Sequence, residues 1–167
     1  YLNALDQFVK HELKVRHYVR YVDDAVLVHE DRSVLENWFE AISSFLAERL
    51  LLRLNPRATK LKPVSCGINF LGYIIHPTHR LVRRRVVGNF RARLEEFQEL
   101  LVVREETTIR FRYDEDLLER LLATLNSYLA HFKRASCLSL LISILDDHPW
   151  LYEFFHFVDF KAVRTWR

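Results

Sequence analysis

Asp23 and Asp24 stand side by side in HYVRYVDDAVLVHE (17–30), between two runs rich in valine, tyrosine and leucine. Aspartate is disfavoured in strands, and adjacent carboxylates repel each other. Arg20 is the only basic residue close to them in sequence on the strand side that precedes them. Two carboxylates held together need a counter-charge, and a divalent cation with a preference for hard oxygen ligands, Mg²⁺ before others, supplies it. Carboxylates, Mg²⁺ and a phosphate chain together make phosphoryl or nucleotidyl transfer by two metals the natural chemistry. The plain alternative is a polar hairpin turn, because Asp is a common turn residue.

The elements that must position this pair are legible around it. YLNALDQFVKHEL (1–13) places Leu2, Leu5, Phe8, Val9 and Leu13 at helical spacing and predicts an amphipathic helix. HYVRYV and AVLVHE read as two strands, with Asp23 and Asp24 as the turn of a tight hairpin. Asp31 or Ser33 is placed to cap the next helix, with Glu36 three residues after Ser33. That helix should bury Leu35, Trp38, Phe39, Ile42, Phe45 and Leu46 on one face and end near Arg49.

Further on, LLRLN (51–55) reads as a short strand stopped by Pro56, and TKLKPV and GINFLGYIIHP as further strands. Gly67 and Gly72 mark a turn and a bulge or close backbone approach. A basic helix is expected over 81–102, carrying Arg83, Arg84, Arg85, Arg91 and Arg93, followed by helices over 114–134 and 137–146 and an aromatic tail. The fold class is therefore α+β: an antiparallel sheet with packed helices, then an all-α half.

Composition is consistent with this division. In 167 residues, 50% hydrophobic, there is enough apolar material for a core, and 3 Gly and 4 Pro leave little room for disordered tracts. The net charge is only +3, but from Arg57 to Arg93 there are nine Lys or Arg and no Asp or Glu. Such a block suits a phosphate-rich partner, the plain alternative being a solvated basic face. Cys66 and Cys137 form no CxxC or Cys/His cluster, which disfavours zinc; two reduced, part-buried thiols in a cytoplasmic protein are expected. His76 and His79 flank Pro77 as loop polars, and Trp150, Tyr152, Phe154, Phe155 and Phe157 suit a core or a partner surface. No signal pattern appears, and LSLLISIL (138–145) is too short to span a bilayer, so no membrane partner is expected. The chain has no Met and opens inside an apolar-periodic segment, which leads us to expect further sequence upstream of Tyr1.

On these residues the chain resembles a known family. Tyr21-Val22-Asp23-Asp24 is similar to the YxDD signature of reverse transcriptases. The helix that follows, then Leu54-Asn55-Pro56 with Thr59, then Phe70-Leu71-Gly72-Tyr73 and a basic helix, resemble in order and spacing the later palm motifs and the start of the thumb. YVRYVDD, GINFLGYIIHP and SYLAHFKRA look most like bacterial enzymes of diversity-generating retroelements, with retron and group II intron enzymes as close relatives.

The resemblance implies a C-terminal palm portion over 1–79 and an α-helical thumb over 80–167. It implies an RNA-directed DNA polymerase that adds nucleotides to a primer 3′-hydroxyl. Asp23 and Asp24 would be the catalytic Mg²⁺ ligands (two ions in the complete enzyme, Mn²⁺ as a substitute). Tyr21, Phe70, Leu71, Gly72, Tyr73 and Lys60 would lie at the nucleotide and primer, and Arg83, Arg84, Arg85, Arg91 and Arg93 on nucleic-acid phosphates. The implied partners are an RNA template, a DNA primer, deoxynucleoside triphosphates, and a separate fingers/palm chain or an accessory protein. Ala58 stands where the family usually has a lysine that helps protonate leaving pyrophosphate, with Arg57 and Lys60 beside it. The third carboxylate and the fingers of such a polymerase have no counterpart in these residues, so this chain by itself is expected not to polymerise. The alternative expectation is a non-catalytic RNA-binding or scaffolding remnant of a polymerase.

Overall fold

A computed structural model describes residues 1–165 of the chain, which divides into two units, Tyr1–Pro63 and a second from Val64 on. Helices and small antiparallel sheets alternate in it, an α+β architecture at the coarse level.

The first unit opens with helix α1 (Asn3–Gln7), which continues as a π-helical segment, Phe8–Glu12, in place of a single α-helix over 1–13. Strands β1 (His17–Tyr21) and β2 (Asp24–Val28) form an antiparallel hairpin, and helix α2 (Arg32–Leu50) follows. Asp31 is the N-cap of α2: its carboxylate accepts from the Ser33 amide at 2.7 Å and from the Ser33 hydroxyl at 2.8 Å. The i, i+4 spacing along α2 puts Ile42, Leu46 and Leu50 on one buried stripe with Leu5, Val9 and Val15, and Phe45 stacks on Phe8 with ring centroids 4.2 Å apart. Phe39, expected on that face, is 48% exposed instead.

The strands expected in LLRLN and TKLKPV do not form. Proline removes a ladder donor at 56 and at 63, and no neighbouring strand offers these residues a partner. Asn55 organises a turn there: its side chain accepts from the Arg57 amide at 3.0 Å, and its carbonyl accepts from the amides of Ala58 and Thr59.

The second unit begins with a three-stranded antiparallel sheet of β3 (Ile68–Phe70), β4 (Tyr73–Ile75) and β5 (Arg80–Val82). Residues 81 and 82, expected in the basic helix, are strand instead, and helix α3 spans Arg84–Leu101 with Arg83 at its N-cap. The part expected to be all-α carries two further hairpins. One joins β6 (Val102–Arg104) to β7 (Ile109–Phe111). The other joins β8 (Phe155–Val158) to β9 (Lys161–Arg164). Between them run α4 (Glu115–Phe132), α5 (Leu138–Asp146) and the short α6 (Leu151–Phe154).

The core of this unit follows helical spacing. Phe90, Leu94, Phe97 and Leu101 of α3 meet Leu118, Leu121, Leu125, Leu129 and Phe132 of α4. The aromatic tail is mostly core: Trp150, Phe154 and Phe155 are buried, Phe157 packs on them, and Tyr152 is exposed. Asn126 of α4 fastens the last hairpin, donating to the Ala162 carbonyl at 3.1 Å and accepting from the Ala162 amide at 2.8 Å. Both cysteines are free; Cys137 is buried, which raises its thiol pKa, while Cys66 is exposed rather than part-buried. Among the described residues, no helix is long and apolar enough to cross a membrane.

Candidate functional site

The β1–β2 ladder pairs Tyr21 with Asp24, so the two turn residues are Val22 and Asp23, and Asp24 is the first residue of β2. This corrects the reading of Asp23 and Asp24 as the turn itself. Val22 adopts φ 55 while 63% exposed. A β-branched residue in the left-handed region is a conformational outlier, costing on the order of 1–3 kcal/mol. Tight hairpin turns that need this conformation ordinarily take glycine or asparagine. The pleat then sorts the side chains. Tyr21, Asp24 and Val26 lie on one face, and Tyr18, Arg20 and Leu27 on the other, where Tyr18 and Leu27 pack against the core.

Asp23 and Asp24 are both exposed, and no ion pair neutralises either among the described residues. Arg20, the expected neighbour, is engaged elsewhere. Its Nε donates to Asp6 Oδ1 at 2.8 Å, its Nη2 donates to Asp6 Oδ2, and its Nη1 donates to the Val22 carbonyl at 2.5 Å. The Tyr18 hydroxyl donates to the same Asp6 Oδ1 at 2.8 Å. These donors hold the Asp6 carboxyl down at about 2, Arg20 foremost, and burial with the Asp6 carboxylate beside it pushes the Tyr18 phenol up to about 12. Arg20 is correspondingly held further into its charged range by Asp6.

The donor set of the pair fits a hard cation. The two carboxylates are adjacent at one hairpin tip, both open to solvent and neither ion-paired among the described residues. Mg²⁺ is characteristically held by one or two carboxylates, completed by water and phosphate oxygens. No group of three or more His, Cys, Asp or Glu is gathered to hold a metal ion among the described residues.

The FLGY segment forms the second tip, in the second unit. Phe70 pairs with Tyr73, leaving Leu71 (φ 48) and Gly72 (φ 83) as a two-residue turn with both residues left-handed. Gly72 is therefore a hairpin turn and not a bulge. A Cβ there would lie 3.0 Å from Cε1 of His131 and 3.4 Å from Cγ2 of Val86, so the space glycine leaves is bounded by the protein's own side chains. His131, on α4, stacks on the Tyr73 ring at 4.1 Å and 10°, and its carbonyl accepts from the Tyr73 hydroxyl at 3.0 Å. Burial raises the Tyr73 phenol pKa.

The Arg83 amide donates to the Gly72 carbonyl at 3.0 Å, which brings the FLGY tip against the start of α3. Arg84 and Arg85 follow there, exposed and in no ion pair among the described residues. Arg91 and Arg93 are committed elsewhere, to Asp147 at 2.8 Å and to Glu96 at 2.7 Å. Helix α3 thus carries its arginines toward its N-terminus and Glu95, Glu96 and Glu99 toward its C-terminus, the arrangement its dipole disfavours. Lys60 is exposed in the irregular stretch before Pro63. His76, half-buried, and His79, exposed, stack on each other with ring centroids 4.6 Å apart.

The YVDD tip belongs to the first unit and the FLGY tip to the second. Asp6 and His131 escape a reading of the sequence. Each is an ordinary polar residue on a helix until a partner 14 or 58 residues away gives it a task. No protein-family model matches the chain, and no curated protein matches it.

Proposed function

We propose that the chain is the palm-and-thumb portion of a bacterial, cytoplasmic reverse transcriptase, serving template-directed nucleotidyl transfer to a primer 3′-hydroxyl in the complete enzyme. The observation that carries this reading is the exposed Asp23–Asp24 pair, in no ion pair among the described residues, at a turn held in strain by Val22. A turn with no duty beyond reversing the chain gains nothing from a left-handed valine or from two unneutralised acids.

Asp23 and Asp24 would hold Mg²⁺. The bound ion would supply a counter-charge to the pair and the Lewis acidity that activates the hydroxyl and stabilises leaving pyrophosphate. Tyr21, on the same face as Asp24, would bound the nucleotide side. Phe70, Leu71, Gly72 and Tyr73 would present the primer end. Arg83, Arg84 and Arg85, against that tip, would take phosphates, which fixes register without reading bases. Arg91, Arg93 and Lys60 would add weaker, longer-range attraction.

The test is binding of a labelled RNA–DNA template–primer to the full chain with and without Mg²⁺, for the natural sequence and for Asp23→Asn with Asp24→Asn. Mg²⁺ should tighten binding by at least about fivefold in the former and not in the latter. Equal, metal-independent binding by both would overturn the catalytic reading and leave an RNA-binding or scaffolding remnant.

A further inference from the structure

Arg20 lies three residues before Asp23 and is the cation best placed along the chain to neutralise it. It does not. All three groups of its fork are occupied: Nε and Nη2 on the two oxygens of Asp6, and Nη1 on the carbonyl of Val22. Bidentate arginine–carboxylate pairs are the most directional of ion pairs, so the guanidinium plane is set by Asp6. Tyr18 adds a third direction by donating to Asp6 Oδ1, and the Asp6 and Arg20 side chains are only 21% and 20% exposed. The pleat also turns Arg20 to the face opposite Asp24.

We propose that Asp6 is a positioning residue for the Asp23–Asp24 pair: it commits the Arg20 guanidinium to its own carboxylate and to the Val22 carbonyl, so that the guanidinium ion-pairs with neither carboxylate of the pair. Two consequences follow from one residue. The carboxylate oxygens of the pair stay open to a cation, with no guanidinium bound to them among the described residues. The left-handed turn that carries Asp23 is tied by its own carbonyl to helix α1. Without Asp6, the guanidinium loses its only carboxylate, and the nearest unpaired ones belong to Asp23 and Asp24. A guanidinium moved from the Val22 carbonyl into direct contact with the two carboxylates competes with a divalent cation for the same oxygens and, at the effective dielectric of a protein surface, weakens that site by roughly tenfold or more.

This rests on the reading of the pair as a cation site, and the experiment separates the two. Mn²⁺ binding to the full chain, followed by electron paramagnetic resonance, is compared for Asp6→Asn, Arg20→Gln and the double variant. Asp6→Asn should weaken binding about tenfold. Arg20→Gln and the double variant, which break the same strut but carry no freed charge, should stay within about threefold of the natural chain. If all three weaken alike, Asp6 only stiffens the hairpin and the charge argument is overturned. If Asp6→Asn leaves binding unchanged, the proposal also fails.

A metal-free arm reads the same claim by amide and side-chain NMR. The Arg20 Nε–H signal should be indifferent to Asp23→Asn in the natural chain. In an Asp6→Asn background it should shift with Asp23→Asn, because the guanidinium has moved to the pair; no shift there overturns the proposal. If the natural chain shows no Mn²⁺ binding that Asp23→Asn removes, the cation reading fails, and the NMR arm still decides the placement of Arg20.

Discussion

Replacing Gly72 by alanine tests the geometry of the FLGY tip, because two independent penalties can be worked out for it. Gly72 sits at φ 83, where a Cβ costs about 1–2 kcal/mol. The same Cβ would meet the His131 ring at 3.0 and 3.1 Å and Val86 at 3.4 Å. His131 has little room to give: its ring is stacked on Tyr73 at 4.1 Å, and its Nε2 is buried with no hydrogen-bond partner among the described residues. Overpacking of this kind adds about 1 kcal/mol or more. We therefore expect Gly72→Ala to destabilise the second unit by about 2–4 kcal/mol.

Gly88 supplies the control. It lies inside α3, has an ordinary negative φ, and nothing stands within 4 Å of a Cβ built there. Gly88→Ala should stabilise by about 0.5–1 kcal/mol through helix propensity alone. Urea denaturation followed by the NMR amide signals of α4 reads this unit by itself, and at ordinary urea m-values the two midpoints should separate by roughly 1–2 M. Adding His131→Ala to Gly72→Ala should return part of the loss, relative to His131→Ala alone, and leave the backbone part. Two variants that shift in the same direction would refute the left-handed turn seated on His131.

Three further outcomes are expected. The Asp6 carboxyl, lowered from 3.8 to about 2 by Arg20 before other causes, contributes stability that is present above about pH 4 and is lost as pH falls through 2. Acid titration of the first unit should therefore show a loss in that window that Asp6→Asn removes. At the other end, the Tyr18 phenol, raised from 10.0 to about 12, holds its proton more tightly folded than unfolded, so stability falls between pH 10 and 12 and Tyr18→Phe flattens that limb. On nucleic acid, Arg84→Gln with Arg85→Gln should lower the salt slope of duplex binding by roughly 1–2, since each phosphate contact contributes about 0.9. Arg93→Gln, whose guanidinium is already paired with Glu96, should lower it by much less.

The long amphipathic elements were legible in the sequence because their signal is repeated. Helix α4 repeats its leucines over 18 residues, and α2 carries both its apolar stripe and an Asp31 cap. The YVDD hairpin was legible too, since two β-branched, aromatic runs flank a pair of acids. Short strands were not. The β6–β7 and β8–β9 hairpins have 3 or 4 residues per strand, too few for a period to show, and they form because packing against the helical core offers them a surface. LLRLN looks like a strand by composition and fails as one because a strand exists only when another pairs with it.

The residues of the candidate site divide in the same way. That two carboxylates sit at a strand junction is a property of the sequence, as is a basic block from Arg57 to Arg93. That Val22 and not Asp24 bends the chain was decided by the cross-strand register, which pairs Tyr21 with Asp24. That the two acids stand unneutralised was decided by Asp6, which meets Arg20 only after α1 and the hairpin have packed. Which arginines remain open for phosphate was decided likewise, by where Asp147 and Glu96 come to lie against Arg91 and Arg93. Local pattern determines what charges and turns a segment carries; only the tertiary structure determines which of those charges find each other, because their partners are distant in sequence and near only in space.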